Sequence, residues 1–342
     1  MGKKGGDKKK AAKGQVVEPV TPEEFIANYK KACKLFGAPS CDTVVQQLNN
    51  EENPDKTKMV VDDEIGPAGV RAICAALLGK HPDFKPPRSF EHYTSLHFGR
   101  SNAGPDGCVS VAELLRLGGE AQTIQCLRMM DSKIGVRGCK ALGSALSFGC
   151  NVTLKTLYLQ YDSTIGDAGC DALCRGLRTN STIKRIELEY CDIGPKGAKG
   201  IAQVMGYGRT EIEKISLRGN KIGGQGLVYI AKALGKNSKL ASLSLQDNCI
   251  SQDNLEELEV LRSGLDANET LEAFYFSDNP IGSEGCSVLA PALAKDANKN
   301  LKTVQIYPST QGVKPCKRCS VYSLATTSIS SSYYFIRRNH KN

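Results

Sequence analysis

Between Ile212 and Leu234 the chain reads IEKISLRGNKIGGQGLVYIAKAL. Ile215 and Leu217 alternate with polar residues, the period-two pattern of a strand with one buried face. Asn220 and Ile222 follow, then Leu227, Ile230, Ala231 and Leu234 at spacings of three and four, which places them on one helix face. The pattern predicts a short strand, an Asn-bearing turn and an amphipathic helix. A unit this small can bury neither face by itself, so it must stack on others.

Equivalent units recur. An Ile-Gly step closes the turn at Ile65, Ile134, Ile165, Ile193, Ile222 and Ile281, with Ala103-Gly104 and Ile250-Ser251 as variants. Strand pairs precede the turns at Leu96/Phe98, Leu127/Met129, Leu157/Leu159, Ile186/Leu188, Ile215/Leu217, Leu243/Leu245 and Phe274/Phe276, and Val304/Ile306 closes the series. From Ile134 onward the turns lie 31, 28, 29, 28 and 31 residues apart. This period, on L-x-x-L-x-L-x-x-N/C-x-I, resembles the leucine-rich repeat, and the full helix in each unit is most similar to the ribonuclease-inhibitor-like subfamily. The resemblance covers residues 57–307.

Strands about 4.8 Å apart and helices roughly 8–10 Å apart cannot stack straight. The expected architecture is therefore an α/β solenoid: a right-handed leucine-rich-repeat horseshoe with a concave parallel β-sheet and convex helices.

The ends read differently. Residues 1–14 are a basic tail with too few apolar groups to fold. Residues 15–56 predict a helical N-terminal cap, begun by Thr21-Pro22-Glu23-Glu24 and striped by Phe25, Tyr29, Cys33 and Phe36. The pattern Tyr29, Cys33, Gly37, Pro39, Val44, Leu48 is similar to the lead-in of leucine-rich-repeat proteins from cilia and flagella. The first repeat reads as degenerate, with Val60 at one inward position and Lys58 at the other. After it, HPDFKPPRSFEHY (81–93) carries three prolines and is expected as a surface loop and candidate contact site. Residues 308–342 form a Ser-rich basic tail.

The net charge of +9 divides unevenly. Residues 1–14 carry +5 and residues 308–342 carry +6, which leaves the body at −2. Lys3, Lys4, Lys8, Lys9 and Lys10 are candidate anchors to an acidic polymer or assembly. No aromatic residue interleaves with them, which argues against a specific nucleic-acid site. No apolar run reaches the roughly 18 residues of a membrane span, no secretory signal is expected, and Gly6 breaks the myristoylation pattern that Gly2 suggests.

Of the fourteen cysteines, Cys108, Cys139, Cys170 and Cys286 share the column that holds Val70, Ala198 and Leu227 elsewhere. They read as buried structural thiols and imply a reducing, intracellular compartment, with a cytoplasmic location. Sequons at Asn151, Asn180 and Asn268 fall where each helix ends, as does Asn237, so a left-handed helix-terminating role explains them without sugar. A glycine column (Gly69, Gly107, Gly138, Gly169, Gly197, Gly226, Gly285, with Asn254 departing) lacks phosphate-loop spacing and reads as close packing. The single C-x-x-C at Cys316 and Cys319 has no second pair for zinc.

Outward strand positions supply the candidate partner-binding residues: Arg128, Tyr158, Arg185, Glu187, Glu189, Lys214, Arg218, Tyr275 and Tyr307, with Gln160, Ser216, Ser244, Gln246 and Gln305 among them. No catalytic, metal or cofactor constellation is expected, and no histidine sits in a recognisable nucleophile setting. The sequence therefore predicts a non-enzymatic protein-protein interaction scaffold, a subunit of an assembly such as the ciliary or flagellar axoneme of the cytoskeleton. The alternatives are a Ran-GAP-like GTPase regulator, against which the basic C-terminal end stands, and a ribonuclease inhibitor, which would need an acidic surface.

Overall fold

The computed structural model describes residues 18–49, 55–118, 123–294 and 300–306. Two helices lead in, α1 (Pro22–Phe36) and α2 (Asp42–Asn49). Strand and helix then alternate: β1 (Lys58–Val61), α3 (Gly66–Leu78), β2 (Ser95–Gly99), α4 (Gly104–Leu117), β3 (Cys126–Met130), α5 (Gly135–Ala145), β4 (Thr156–Tyr158), α6 (Gly166–Leu177), β5 (Arg185–Glu187), α7 (Pro195–Met205), β6 (Lys214–Ser216), α8 (Gly223–Leu234), β7 (Ser242–Ser244), α9 (Leu255–Ala267), β8 (Ala273–Tyr275), α10 (Gly282–Leu293) and β9 (Thr303–Gln305). The nine strands form one sheet in chain order, every neighbour parallel. Consecutive helices from α3 to α10 pack side by side behind it. The result is the α/β solenoid that the spacing implies.

Its core is one continuous layer. Leu127 pairs with Leu157, Leu157 with Ile186, Ile186 with Ile215 and Ile215 with Leu243, all buried. The glycine column lets the helices approach: a Cβ on Gly226 would meet Ile222 at 2.5 Å and Ala198 at 3.1 Å. Asn254 departs because α9 begins late. It is the residue before that helix, and its Oδ1 accepts from Ser251 N at 3.0 Å. The cysteine column is buried as free thiols, and burial pushes the Cys108 and Cys139 thiols far up.

The first strand corrects the sequence reading. Met59 and Val61, both fully buried, pair with Leu96 and Phe98, so Lys58 and Val60 face outward. The stretch KMVV offers two apolar registers, and only pairing with β2 chooses between them. The first repeat is not degenerate at its inward positions.

The residues ahead of β1 meet its exposed edge. Thr21 and Glu24 form a reciprocal capping box that starts α1. Gln47 on α2 accepts from Val60 N at 2.9 Å and donates back to Val60 O, as a neighbouring strand would. An open edge is thereby partly closed. The 81–93 insertion is a second correction, because it is not simply a surface loop. Phe84, Phe90 and Tyr93 are buried, and Phe90 stacks on Phe25 of α1 with centroids 4.5 Å apart. Lys85 N donates to the buried Asn28 at 3.0 Å. The prolines exclude a helix but do not prevent burial.

The sequon column holds the repeats together. Asn151, Asn180 and Asn268 are buried, and none is left-handed; Asn268 has φ −88 and ψ 127. Asn180 Nδ2 donates to Leu146 O at 2.8 Å in the preceding repeat, while its Oδ1 accepts from Thr182 N and Ile183 N. Asn151 and Asn268 repeat the arrangement with Leu115 O and Leu234 O. The expected position is right and the expected reason is not. The amide that would carry a sugar is instead committed to a carbonyl one repeat away.

Candidate interaction surface

Outward side chains of a parallel sheet lie in rows across the strands, so residues about thirty apart in the chain become neighbours. On this face the structure brings together Arg128, Tyr158, Arg185, Glu187, Glu189, Lys214, Arg218 and Tyr275. Arg128 faces Tyr158 across β3 and β4, and its guanidinium lies 4.2 Å from the ring centroid; that of Arg185 lies 5.5 Å away. Such contacts attract a cation to the ring face by about 0.5–1 kcal/mol at exposed sites. Tyr307 and the anchoring lysines Lys3, Lys4, Lys8, Lys9 and Lys10 lie outside the described residues, as do Cys316 and Cys319.

The carboxylates here are engaged. Glu187 is buried, takes an Arg185 Nε donation at 2.7 Å and accepts from Gln160 Nε2 at 2.6 Å. Burial raises its pKa even so, with Arg185 opposing. Glu189 accepts from Ser216 Oγ at 2.6 Å. Lys214 is exposed. Between β5 and β9 these side chains line a groove of about 380 Å³, completed by Ser242, Ser244, Gln246 and Gln305. A second groove of about 690 Å³ lies between residues 18–22 and the insertion, lined by Glu18, Pro22, Lys80, Arg88 and His92 among others.

Two features of this face escaped sequence reading. Tyr161 and Tyr190 stack with centroids 5.2 Å apart and planes 6° apart, at φ 62 and φ 55. They occupy a left-handed column just before the turn residue, with Asp131, Gly219, Asp247 and Asp278. The Asp and Gly in that column were the available signal. A Cβ on Gly219 would lie 2.2 Å from the Tyr190 ring, so glycine there makes room for the stack. The other feature is a contact of Ser95 Oγ with His97 Nε2 at 2.8 Å, with Cys126 Sγ 4.0 Å away. Burial, then Lys58 and Arg128, pushes the His97 pKa down to about 4. A base that weak accepts a proton poorly near neutral pH, so the contact is a poor nucleophile-activating pair.

Among the described residues no helix is long and apolar enough to cross a membrane, and no cluster of three His, Cys, Asp or Glu side chains is placed to hold a metal ion.

A leucine-rich-repeat family model matches residues 179–202, 212–231 and 267–290. No curated protein matches the chain. Among solved structures, the tropomodulin C-terminal domain of Caenorhabditis elegans is similar at 13% identity and TM-score 0.39, over 46% of this chain and 90% of that one. The Rad7 and Elc1 complex of yeast is similar at 12% identity and TM-score 0.30, over 86% of this chain and 90% of the other. Neither likeness is close enough to carry an argument. The matched repeats and the nine parallel strands together make this an α/β solenoid of leucine-rich-repeat type. Repeats of this type present extended surfaces that bind other proteins.

Proposed function

We propose that the protein is a non-enzymatic interaction scaffold that serves as a subunit of a large intracellular assembly. The observation that carries this is the concave face. It spreads positioned arginines, tyrosines and polar groups across consecutive strands, as recognition of another protein requires. The setting we propose is the ciliary or flagellar axoneme. Its support is the likeness of the lead-in residues Tyr29, Cys33, Gly37, Pro39, Val44 and Leu48 to those of ciliary repeat proteins. In this setting the lysine-rich ends anchor the scaffold to an acidic polymer, screened by salt as surface charge is. Arg185, Lys214 and Arg218 on the face favour this reading over an inhibitor of a basic ribonuclease.

The full chain, tagged and expressed in a ciliated cell, is expected to remain with detergent-extracted axonemes and to sediment in a large complex. Replacing Lys3, Lys4, Lys8, Lys9 and Lys10 with Gln is expected to weaken retention at moderate salt. Even distribution through the cytosol as a monomer would contradict the proposal.

A further inference from the structure

Within the β5–β9 groove, the charges are not evenly matched. Glu187 pairs with Arg185 and accepts from Gln160, whereas Glu189 accepts from Ser216 without an ion pair, so Arg185, Lys214 and Arg218 outnumber the two carboxylates of the lining. Among the described residues neither Lys214 nor Arg218 forms an ion pair with a carboxylate. The Arg218 Nε is moreover buried without a hydrogen-bond partner, although the side chain lines the groove and its guanidinium lies 5.9 Å from the Tyr190 centroid. A buried guanidinium N–H with no acceptor is costly to leave unmade, and its planar fork fits a carboxylate. The remaining wall, Ser242, Ser244, Gln246, Tyr275 and Gln305, carries neutral donors and acceptors suited to a peptide backbone.

We propose that this groove takes an extended acidic segment of a partner protein, with Arg218 receiving one carboxylate and Lys214 another. The inference rests on the scaffold reading and names the chemistry of its partner. A nucleic acid fits less well. Its continuous phosphates would run past Glu187 and Glu189, which face the same groove. The rings beside the cations are also occupied, Tyr158 by Arg128 and Tyr190 by Tyr161.

The test is fluorescence anisotropy on the full chain, with Lys3, Lys4, Lys8, Lys9, Lys10 and Lys13 replaced by Gln so that they do not dominate. The probes are a labelled Gly/Ser peptide bearing two spaced glutamates, the same peptide with two lysines in their place, and an oligothymidylate. The diglutamate peptide is expected to bind best, and more weakly as salt rises. Lys214→Glu with Arg218→Glu is expected to weaken it about tenfold or more. Lys214→Glu alone changes an exposed residue, so its partial loss survives any folding defect at Arg218. Unchanged binding in the variants, no binding by the parent, or tighter binding of oligothymidylate would each overturn the proposal. If the double variant still assembles into the large complex of the parent, the scaffold reading stands and the acidic partner falls.

Discussion

In the C-terminal half of the solenoid the turn position is asparagine, and in the N-terminal half it is not. Asn220 accepts from Cys191 N and Ile193 N, each at 3.0 Å, and donates to Leu188 O at 2.7 Å and Leu217 O at 2.8 Å. Asn279 does the same for Asn248 N, Ile250 N, Leu245 O and Phe276 O. Earlier in the chain the work is divided. Ser132 and Cys191 only donate, to Phe98 O at 3.1 Å and Leu159 O at 3.0 Å, while Asp162 only accepts, from Ile134 N at 2.7 Å. An amide has both a donor and an acceptor, whereas a hydroxyl, thiol or carboxylate in this position supplies one of the two. Asn248 uses only its donor, to Leu217 O and Gln246 O, and its buried Oδ1 has no partner, so asparagine fills both roles at Asn220 and Asn279 but not in every repeat. The N-terminal half, which lacks asparagine at this position, also carries the aromatic packing of Phe25, Phe90 and Tyr93.

The largest effect is expected from breaking that packing. Phe25→Ala empties a fully buried ring site and should cost about 3–5 kcal/mol. Hydrogen exchange should quicken in β1 and β2 and stay slow in β7 and β8; uniform quickening would erase the distinction between the halves. Next, Asn220→Ala should cost about 2–4 kcal/mol by thermal or denaturant unfolding, since buried N–H and C=O groups lose their partner. Cys191→Ala, in the equivalent position, removes a single weak donor and should cost about 1 kcal/mol. Equal losses would mean that asparagine adds nothing the thiol lacks. Gly219→Ala forces a side chain to φ 71 beside the Tyr190 ring and should cost about 1–2 kcal/mol.

The smallest effect concerns pH. His97 has its folded pKa depressed to about 4, from an ordinary value of about 6.5 in the unfolded chain. In that window the unfolded chain binds the proton and the folded one does not. This contribution is therefore fully present above pH ~6.5 and is lost as pH falls toward about 4. His97→Gln should flatten that part of the stability profile, and an unchanged slope would assign it to other groups.

Much of the fold was legible because one column repeats many times. The inward pairs from Leu96/Phe98 to Phe274/Phe276, the glycines and the cysteines all fell where alternation and spacing put them. What failed was decided by partners remote in sequence. KMVV took its register from β2, Phe90 packed on Phe25, and the backbone of Lys85 found its partner in Asn28. The sequon asparagines were recognisable as a column, but their bond to the preceding helix's carbonyl was not. For the surface, period two identified which side chains face outward. It could not say that Glu187 is consumed by Arg185 and Gln160 while Arg218 is left with a buried N–H, because rotamers made that choice.

The most direct test of the concave face as the recognition surface is photocrosslinking in cells. A photoreactive phenylalanine analogue would replace Tyr275 or Gln246 on the face, and Lys199 or Lys232 on the exposed side of α7 and α8. Adducts of one defined mass from the first pair and none from the second are expected. Adducts from the helical side alone would show that the partner grips the helices and that the sheet is not the recognition surface.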